Sequence, residues 1–187
     1  VEQALTEGHK PNEITDKALS AAMNVVGKDF GAKKIFLPQV MLSAEAMREA
    51  FIKIKERIPA DSVSNKGTIV IATVKGDIHD LGKNIVSALL ENNGFKVIDL
   101  GKDIDKEEII KAAIDNKADM IGLCSLMTTT ITQIDEVIAE LNKSEYSTKV
   151  MIGGAVVTQE YADNVGADAY APDGVEAVEI AKKLINK

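Results

Sequence analysis

From residue 67 onward, short apolar runs alternate with segments whose apolar residues recur at helical spacing. The runs are rich in β-branched and other aliphatic residues, as is typical of buried strands. Strands are predicted at 67–74, 95–100, 118–124, 149–152 and 167–171, and helices at 83–94, 105–116, 130–141, 159–165 and 175–185. This alternation predicts an α/β domain with a five-stranded, parallel, doubly wound sheet of the Rossmann-like or flavodoxin-like kind.

The chain before residue 60 has a helical pattern only. One helix opens at Pro11 and breaks near Gly31, and a second runs over 37–58 with Pro38 in its first turn. Residues 60–66 are polar and rich in turn formers, which indicates a linker. The sequence therefore predicts a helical cap domain at 1–59, a linker at 60–66 and an α/β domain at 67–187.

Candidate functional residues follow the predicted strands. The first strand leads into a loop from Gly76 to Gly82, the third into 125–130, the fourth into Gly153-Gly154 and the fifth into a turn that contains Gly174. In an open parallel sheet, ligands bind at the carboxyl edge, in a crevice at the switch point of the strand order. The first and fourth strands are expected to flank that point.

The first of these loops holds an imidazole between carboxylates. Asp77 and His79 are two positions apart, so the carboxylate can bind one ring nitrogen, fix the tautomer and leave the other nitrogen as a lone pair. Gly76 and Gly82 allow a bulky ligand to approach the backbone. A solvated turn is the alternative interpretation of this short motif.

The other strand ends have simpler interpretations beside the functional one. Thr129 or Thr130 would serve equally as a helix N-cap. The pair Gly153-Gly154 implies close approach of something large to the backbone. Neither a G-x-G-x-x-G fingerprint nor a phosphate-binding G-x-x-x-x-G-K-[ST] motif occurs, so a dinucleotide or nucleotide site is not indicated.

Composition narrows the function further. The net charge is -7, which favours neither nucleic acid nor an anionic membrane surface as a partner. The single cysteine, Cys124, excludes an internal disulfide and a cysteine-based zinc cluster. No stretch is apolar enough to span a bilayer and no signal peptide is visible, so a cytoplasmic location is expected.

Together these motifs resemble a known signature. The spacing Asp77-x-His79-x-x-Gly82, then Ser125-Leu126 followed by Thr129, then Gly153-Gly154, is similar to the signature of cobalamin-binding proteins. It resembles the cobalamin module of methionine synthase and the corrinoid proteins of methanol, methylamine and methoxyaromatic methyltransferase systems. The segments 23–27 and 36–40 resemble the four-helix cap of that family.

The resemblance implies a ligand set. His79 would bind cobalt from the lower face in place of the cofactor's dimethylbenzimidazole, and Asp77 would accept the second ring proton. The displaced nucleotide tail would enter the crevice, with Ser125 and Thr129 bonding it. The resemblance places the following residues at the cofactor: Gly76, Asp77, Ile78, His79, Asp80, Gly82, Ser125, Leu126, Thr129, Gly153, Gly154 and Gly174.

Two further details follow from the resemblance. In methionine synthase a serine extends the Asp–His pair to a triad; Ile131 stands at that position here, and Thr130 or Thr132 remains as the substitute. The helical cap would shield the methyl group, and the residues expected to do so are Phe36, Val40, Met41 and Leu42.

The implied function is a methyl carrier with methylcobalamin as its methylated form. Its partners would be a substrate-specific methyltransferase, an acceptor methyltransferase and a reductive activase, with no catalytic residue of its own. Alternatives are the cobalamin subunit of an adenosylcobalamin-dependent mutase, a cobalamin-dependent sensor, and a flavodoxin-like or receiver domain without cobalt. The methyl donor, the methyl acceptor and the oligomeric state are left open.

Overall fold

The chain forms two compact units. The computed structural model describes residues 1–9, 13–55 and 66–185. One unit falls within Val1–Ser64 and the other within Asn65–Lys187. Of the predicted linker 60–66, only Lys66 is among the described residues, and the predicted domain limits stay predictions.

The first unit is helical. Helix α1 spans Glu2–Thr6, a π-helical segment over Ile14–Ser20 continues into α2 at Ala21–Gly31, and α3 spans Leu37–Lys55. The two predicted helices are confirmed over these residues, whereas α1 was not predicted. The predicted opening at Pro11 and the predicted end at 58 lie outside the described residues. At the start of α3, the Gln39 amide oxygen accepts the Phe36 N–H at 2.8 Å, which is half of a capping box.

The core of this unit is aliphatic, with α2 packed on α3. The buried hydrophobic residues among those described in this unit are Ile14, Met23, Val40, Met47 and Ile54. Of the residues expected to shield a methyl group, Val40 therefore belongs to the core. Phe36 and Leu42 are 69% and 72% exposed and Met41 is 48% exposed. Apolar side chains this exposed are free to contact a ligand or a partner.

The second unit is the predicted α/β domain. Its strands are β1 (Thr68–Thr73), β2 (Lys96–Asp99), β3 (Met120–Cys124), β4 (Lys149–Gly153) and β5 (Ala169–Ala171). Its helices are α4 (Leu81–Asn92), α5 (Lys106–Asp115), α6 (Thr132–Lys143), α7 (Gln159–Val165) and α8 (Gly174–Leu184). Each predicted element is present, and its ends shift by two residues at most.

All strand pairs are parallel, in the order β2-β1-β3-β4-β5. The switch point therefore lies between β1 and β3, and the expectation that the first and fourth strands flank it is wrong. Hydrogen bonding decides this point, because β1 pairs with β3 from Ile69↔Met120 to Thr73↔Cys124. The two loops that leave the sheet on either side of the switch point begin after Thr73 and Cys124.

Both faces of the sheet are covered. Alternate residues Val70, Ala72 and Val74 of the first strand region pack with α5, α6 and α7, while α4 and α8 pack against each other. Every residue of β1 is buried, which explains its continuous apolar run. Among the described residues, no helix combines the length and apolarity needed to cross a membrane.

Candidate functional site

The loop after β1 is a tight turn that presents Asp77 and His79 at the sheet edge. The Asp77 N–H donates to the Val74 carbonyl at 3.1 Å, which closes a turn over 74–77. Gly76, the third residue of that turn, has φ +78°, a left-handed conformation that glycine adopts without strain. Helix α4 begins at Leu81, so Gly82 lies in its first turn rather than in the loop.

Asp77 holds the His79 ring in one orientation. The carboxylate is fully buried, whereas the His79 side chain is 50% exposed. The ring Nδ1 lies 2.8 Å from Asp77 Oδ1, and the same oxygen accepts the His79 backbone N–H at 3.0 Å. A carboxylate accepts only, so Nδ1 carries the proton and Nε2 keeps its lone pair on the exposed side. The pair thus offers one oriented nitrogen donor.

The second oxygen of Asp77 is bound by the loop after β3. Asp77 Oδ2 accepts the Leu126 N–H at 2.7 Å and the Thr130 hydroxyl at 3.0 Å. The carboxylate therefore spans the switch point and connects the β1 loop to the β3 loop. This fixes Leu126 as a backbone donor at the site, a role that depends on its peptide group and not on its side chain.

Thr130, rather than Thr132, is the residue whose hydroxyl extends the Asp77–His79 pair. Its hydroxyl reaches Asp77, and Ser125 Oγ lies 3.0 Å from Thr130 Oγ1 in the buried interior. A hydrogen-bond chain thus runs Ser125–Thr130–Asp77–His79. The N-cap interpretation of Thr130 is wrong, because α6 has Ile131 as its N-cap. The only sequence signal for Thr130 was its place in a hydroxyl-rich run behind a strand.

The environment of Asp77 stabilises its anion. Burial raises the pKa of the carboxyl, but hydrogen bonds from the Leu126 and His79 backbone, the His79 ring and Thr130 outweigh it. The net effect lowers the pKa from 3.8 to about 2. The carboxylate is therefore charged at neutral pH, which keeps the proton on His79 Nδ1 and leaves the lone pair on Nε2.

This pKa shift predicts acid sensitivity of folding. The folded-state pKa is the lower one, so the contribution is complete above pH 3.8 and is lost as the pH falls toward 2. The free energy of unfolding should drop by roughly 2 kcal/mol across that window because of this group. Urea unfolding at several pH values gives the free energy of unfolding of the wild type and of Asp77→Asn. The difference between the two proteins at each pH measures the contribution of Asp77. An exposed carboxyl changed in Asp163→Asn is the control, and a pH-independent difference for Asp77→Asn would contradict the prediction.

Three of the glycines predicted to lie at the cofactor, Gly153, Gly154 and Gly174, pack closely against other parts of the chain. A Cβ on Gly154, where φ is +125°, would lie 1.9 Å from the Ser125 carbonyl oxygen. A Cβ on Gly153 would lie 2.9 Å from the Ala171 oxygen, and one on Gly174 would lie 2.7 Å from Leu89 Cδ1. The close approach that the sequence implied is made by the chain itself. The strand ends β3, β4 and β5 meet here without room for side chains.

The remaining predicted residues surround the loop. Ile78 is 65% exposed next to His79, and Asp80 is the N-cap residue of α4. Thr129 is exposed, whereas Ser125 is fully buried. The structure thus brings Asp77, His79, Leu126, Thr130 and Ser125 together. Cofactor contacts of the other predicted residues stay predictions.

An ion pair between a buried lysine of α4 and a partly exposed aspartate of β2 was not predicted. Lys83, in the first turn of α4, is 1% exposed and its Nζ lies 2.5 Å from both oxygens of Asp99. Asp99 also accepts Ser87 Oγ at 2.9 Å and the Gly101 N–H at 2.8 Å. A lysine in an apparently amphipathic helix gives no sequence signal of burial. The pair fixes the start of α4 to the end of β2.

Two family models match the chain. A B12 binding domain model covers residues 67–181, and a second B12 binding domain model covers residues 1–55. The chain is 48% identical over 179 residues to dimethylamine corrinoid protein 1 of Methanosarcina acetivorans, covering 94% of this chain and 84% of that relative. It is 39% identical to trimethylamine corrinoid protein 2 of Methanosarcina mazei, covering 98% of this chain and 87% of that relative.

The fold is also similar to a solved structure. The crystal structure of the methanol:cobalamin methyltransferase complex MtaBC from Methanosarcina barkeri matches with a TM-score of 0.86 and 37% identity. The match covers 98% of this chain and 71% of that chain. Similarity in sequence and in fold thus extends over both units of the chain.

Proposed function

Since this chain belongs to the B12-binding corrinoid proteins, we propose that it carries methyl groups from a methylamine-specific methyltransferase to a second methyltransferase. The observation that carries this proposal is the oriented His79 ring, 2.8 Å from Asp77, inside a matched B12 binding domain. The 48% identity to a dimethylamine corrinoid protein supports the choice of a methylamine.

The donor set fits the cofactor. A corrinoid brings its own ring nitrogens to the metal, so the protein would have to supply one further nitrogen, and His79 Nε2 has the lone pair for that role. Within residues 1–9, 13–55 and 66–185, no group of three or more His, Cys, Asp or Glu side chains is placed to hold a metal ion. The site therefore suits a metal that is already coordinated by a macrocycle, and it does not suit a free metal ion.

The chain's residues would set the state of the axial ligand. When bound, the corrinoid supplies the nucleophilic cobalt that accepts and releases the methyl group. Asp77 holds the proton of His79 Nδ1, and Thr130 and Ser125 extend this hydrogen-bond chain into the interior. These groups would hold the proton of the His79 ring in place while His79 Nε2 binds the corrinoid. The protein orients and tunes the ligand, and the partner enzymes present the substrates.

The nucleotide tail remains a proposal. We propose that Gly153, Gly154 and Gly174 lie beside the nucleotide tail, together with Thr129, whose side chain is exposed. The three glycines pack tightly against neighbouring segments of the chain, which favours a tail that runs along the backbone at these positions. The hydroxyl of Ser125 is engaged with Thr130, which favours a positional role for Ser125.

Partners follow from the carrier role. A carrier takes its methyl group from a substrate-specific methyltransferase and passes it to an acceptor methyltransferase, and a reductive activase would restore oxidised cobalt. The similarity to a methanol:cobalamin methyltransferase complex makes methanol the second candidate donor. The relatives are named for methylamines or methanol, which favours the carrier over a mutase subunit or a sensor. A cytoplasmic location stays a prediction.

Methyl transfer tests the proposal directly. The corrinoid-loaded chain is reduced and offered dimethylamine, trimethylamine or methanol, each with the corresponding methyltransferase. We expect about one methyl group per loaded chain in the dimethylamine arm, because the carrier turns over once without an acceptor, and less in the other arms. Product amine and the visible spectrum report the transfer. Fully loaded protein that takes up no methyl group in any arm would overturn the proposal.

A further inference from the structure

The connection between β2 and α5 contacts the loop that bears His79, at Gly76 and Asp77. The carboxylate of Asp103 accepts the Gly76 N–H at 2.8 Å, and the Asp103 N–H donates to the Asp77 carbonyl at 3.1 Å. Asp103 thus binds the Gly76 N–H and the Asp77 carbonyl, the two backbone groups that flank the Gly76–Asp77 peptide. Asp103 has φ +59°, a left-handed conformation that Asp and Asn tolerate better than other side chains.

We propose that Asp103 is a positioning residue that holds the Gly76–Asp77 peptide in the conformation that aims His79 Nε2 at the corrinoid. This inference rests on the proposed function, in which His79 is the axial ligand. The bonds that join Asp103 to this loop go to the backbone of Gly76 and Asp77, so Asp103 acts on His79 through that backbone. It is not one of the residues that the sequence signature assigns to the cofactor.

The need for such a residue arises from Gly76. A Cβ at this position would lie 3.3 Å from Thr130 Cγ2, and φ is +78°, so glycine is favoured on both counts. Glycine, however, leaves the backbone free to adopt other conformations. A hydrogen bond to its N–H selects one of them. Asp103 thus restricts the backbone conformation at position 76, as a side chain at that position would otherwise do.

Asp77 is then fixed from two sides of the sheet edge. Its carboxylate is bound by Leu126 and Thr130 from the β3 side, and its carbonyl is bound by Asp103 from the β2 side. Since the carboxylate orients the ring at 2.8 Å, rotation of the Asp77 backbone would move His79 as well. Holding both ends of Asp77 keeps the ring in one place.

Nearby ion pairs contribute less. Lys75 lies 3.4 Å from Asp103 and 3.2 Å from Asp105, and Lys102 lies 3.6 Å from Asp80. These side chains are between about a third and six-tenths exposed, and exposed pairs of this kind stabilise weakly. The hydrogen bond from Gly76 lowers the pKa of the Asp103 carboxyl, in keeping with a charged acceptor at neutral pH. The two backbone bonds are therefore the essential contacts.

Three variants separate the contributions. Asp103→Gly tolerates the positive φ and loses the acceptor, while Asp103→Asn keeps an acceptor oxygen and tolerates the same φ. Lys75→Met removes the ion pairs and keeps Asp103. Two readouts are needed: hydrogen exchange of the Gly76 amide in the ligand-free protein, and the axial-nitrogen splitting in the electron paramagnetic resonance spectrum of the cobalt(II) corrinoid form. The protein is labelled with 15N, so that a protein ligand is distinguished from the cofactor's own base.

We expect Asp103→Gly to speed exchange of the Gly76 amide by about tenfold and to reduce the histidine-ligated fraction several-fold. Asp103→Asn should rescue both, and Lys75→Met should resemble the wild type. If the histidine-ligated fraction is equal in the wild type and Asp103→Gly, the inference is wrong, whether or not the amide exchanges faster. Absence of a protein nitrogen signal in the wild type would instead overturn the assignment of His79 in the proposed function.

Discussion

His79→Ala is expected to lose the protein-derived nitrogen signal of the bound corrinoid completely. The reason is that His79 Nε2 is an oriented nitrogen donor, because a buried carboxylate binds the ring at Nδ1 at 2.8 Å. The variant should still fold, because the His79 side chain is 50% exposed and its ring is bound at Nδ1 by Asp77. Visible spectra and cobalt(II) electron paramagnetic resonance spectra of the loaded protein measure the effect.

Isotope labelling makes this measurement specific. With 15N in the protein and natural nitrogen in the cofactor, a histidine ligand splits the cobalt(II) signal into doublets, whereas the cofactor's own base gives triplets. The wild type should give doublets, and His79→Ala should give triplets or no splitting. The sequence contains two histidines, so His9→Ala is the matched control and should resemble the wild type. Doublets that persist in His79→Ala would contradict the assignment of this ligand.

Gly154→Ala is expected to destabilise the α/β unit by roughly 3–5 kcal/mol, since backbone strain and overpacking act together there. The added Cβ would lie 1.9 Å from the Ser125 oxygen and 3.0 Å from its nitrogen, in a residue with φ +125°. These neighbours are backbone atoms of the β3 end, which cannot rotate away as a side chain could. Urea unfolding measures the loss of stability.

Gly166 offers the matched control. It also has a positive φ, +78°, but a Cβ there would meet nothing within 4 Å. Gly166→Ala should therefore cost only about 1–2 kcal/mol, from backbone strain alone. Equal destabilisation by the two substitutions would show that the approach of Ser125 to Gly154 does not matter. In Gly154→Ala the added Cβ should displace Ser125. We therefore expect this substitution to weaken the hydrogen bond between Ser125 and Thr130 as well.

The sequence by itself determined the elements of the α/β unit and the pairing of Asp77 with His79. Each strand and helix of the α/β unit was predicted, because side-chain periodicity and β-branched content are local properties of the chain. The pair Asp77–His79 was predictable for the same reason: two positions apart on one turn, the groups reach each other whatever the rest of the fold does. The short helix α1 was missed, because five residues are too few to show a period.

Only the tertiary structure decided which elements are neighbours. Strand order placed the switch point between β1 and β3, and so brought Thr130 to Asp77 across 53 positions of sequence. The same non-local packing explains why Gly154 has no room for a side chain. It also brings Asp103 to the turn at Gly76. Hydrogen bonds between distant segments depend on strand pairing, which local patterns of apolar and polar residues do not specify.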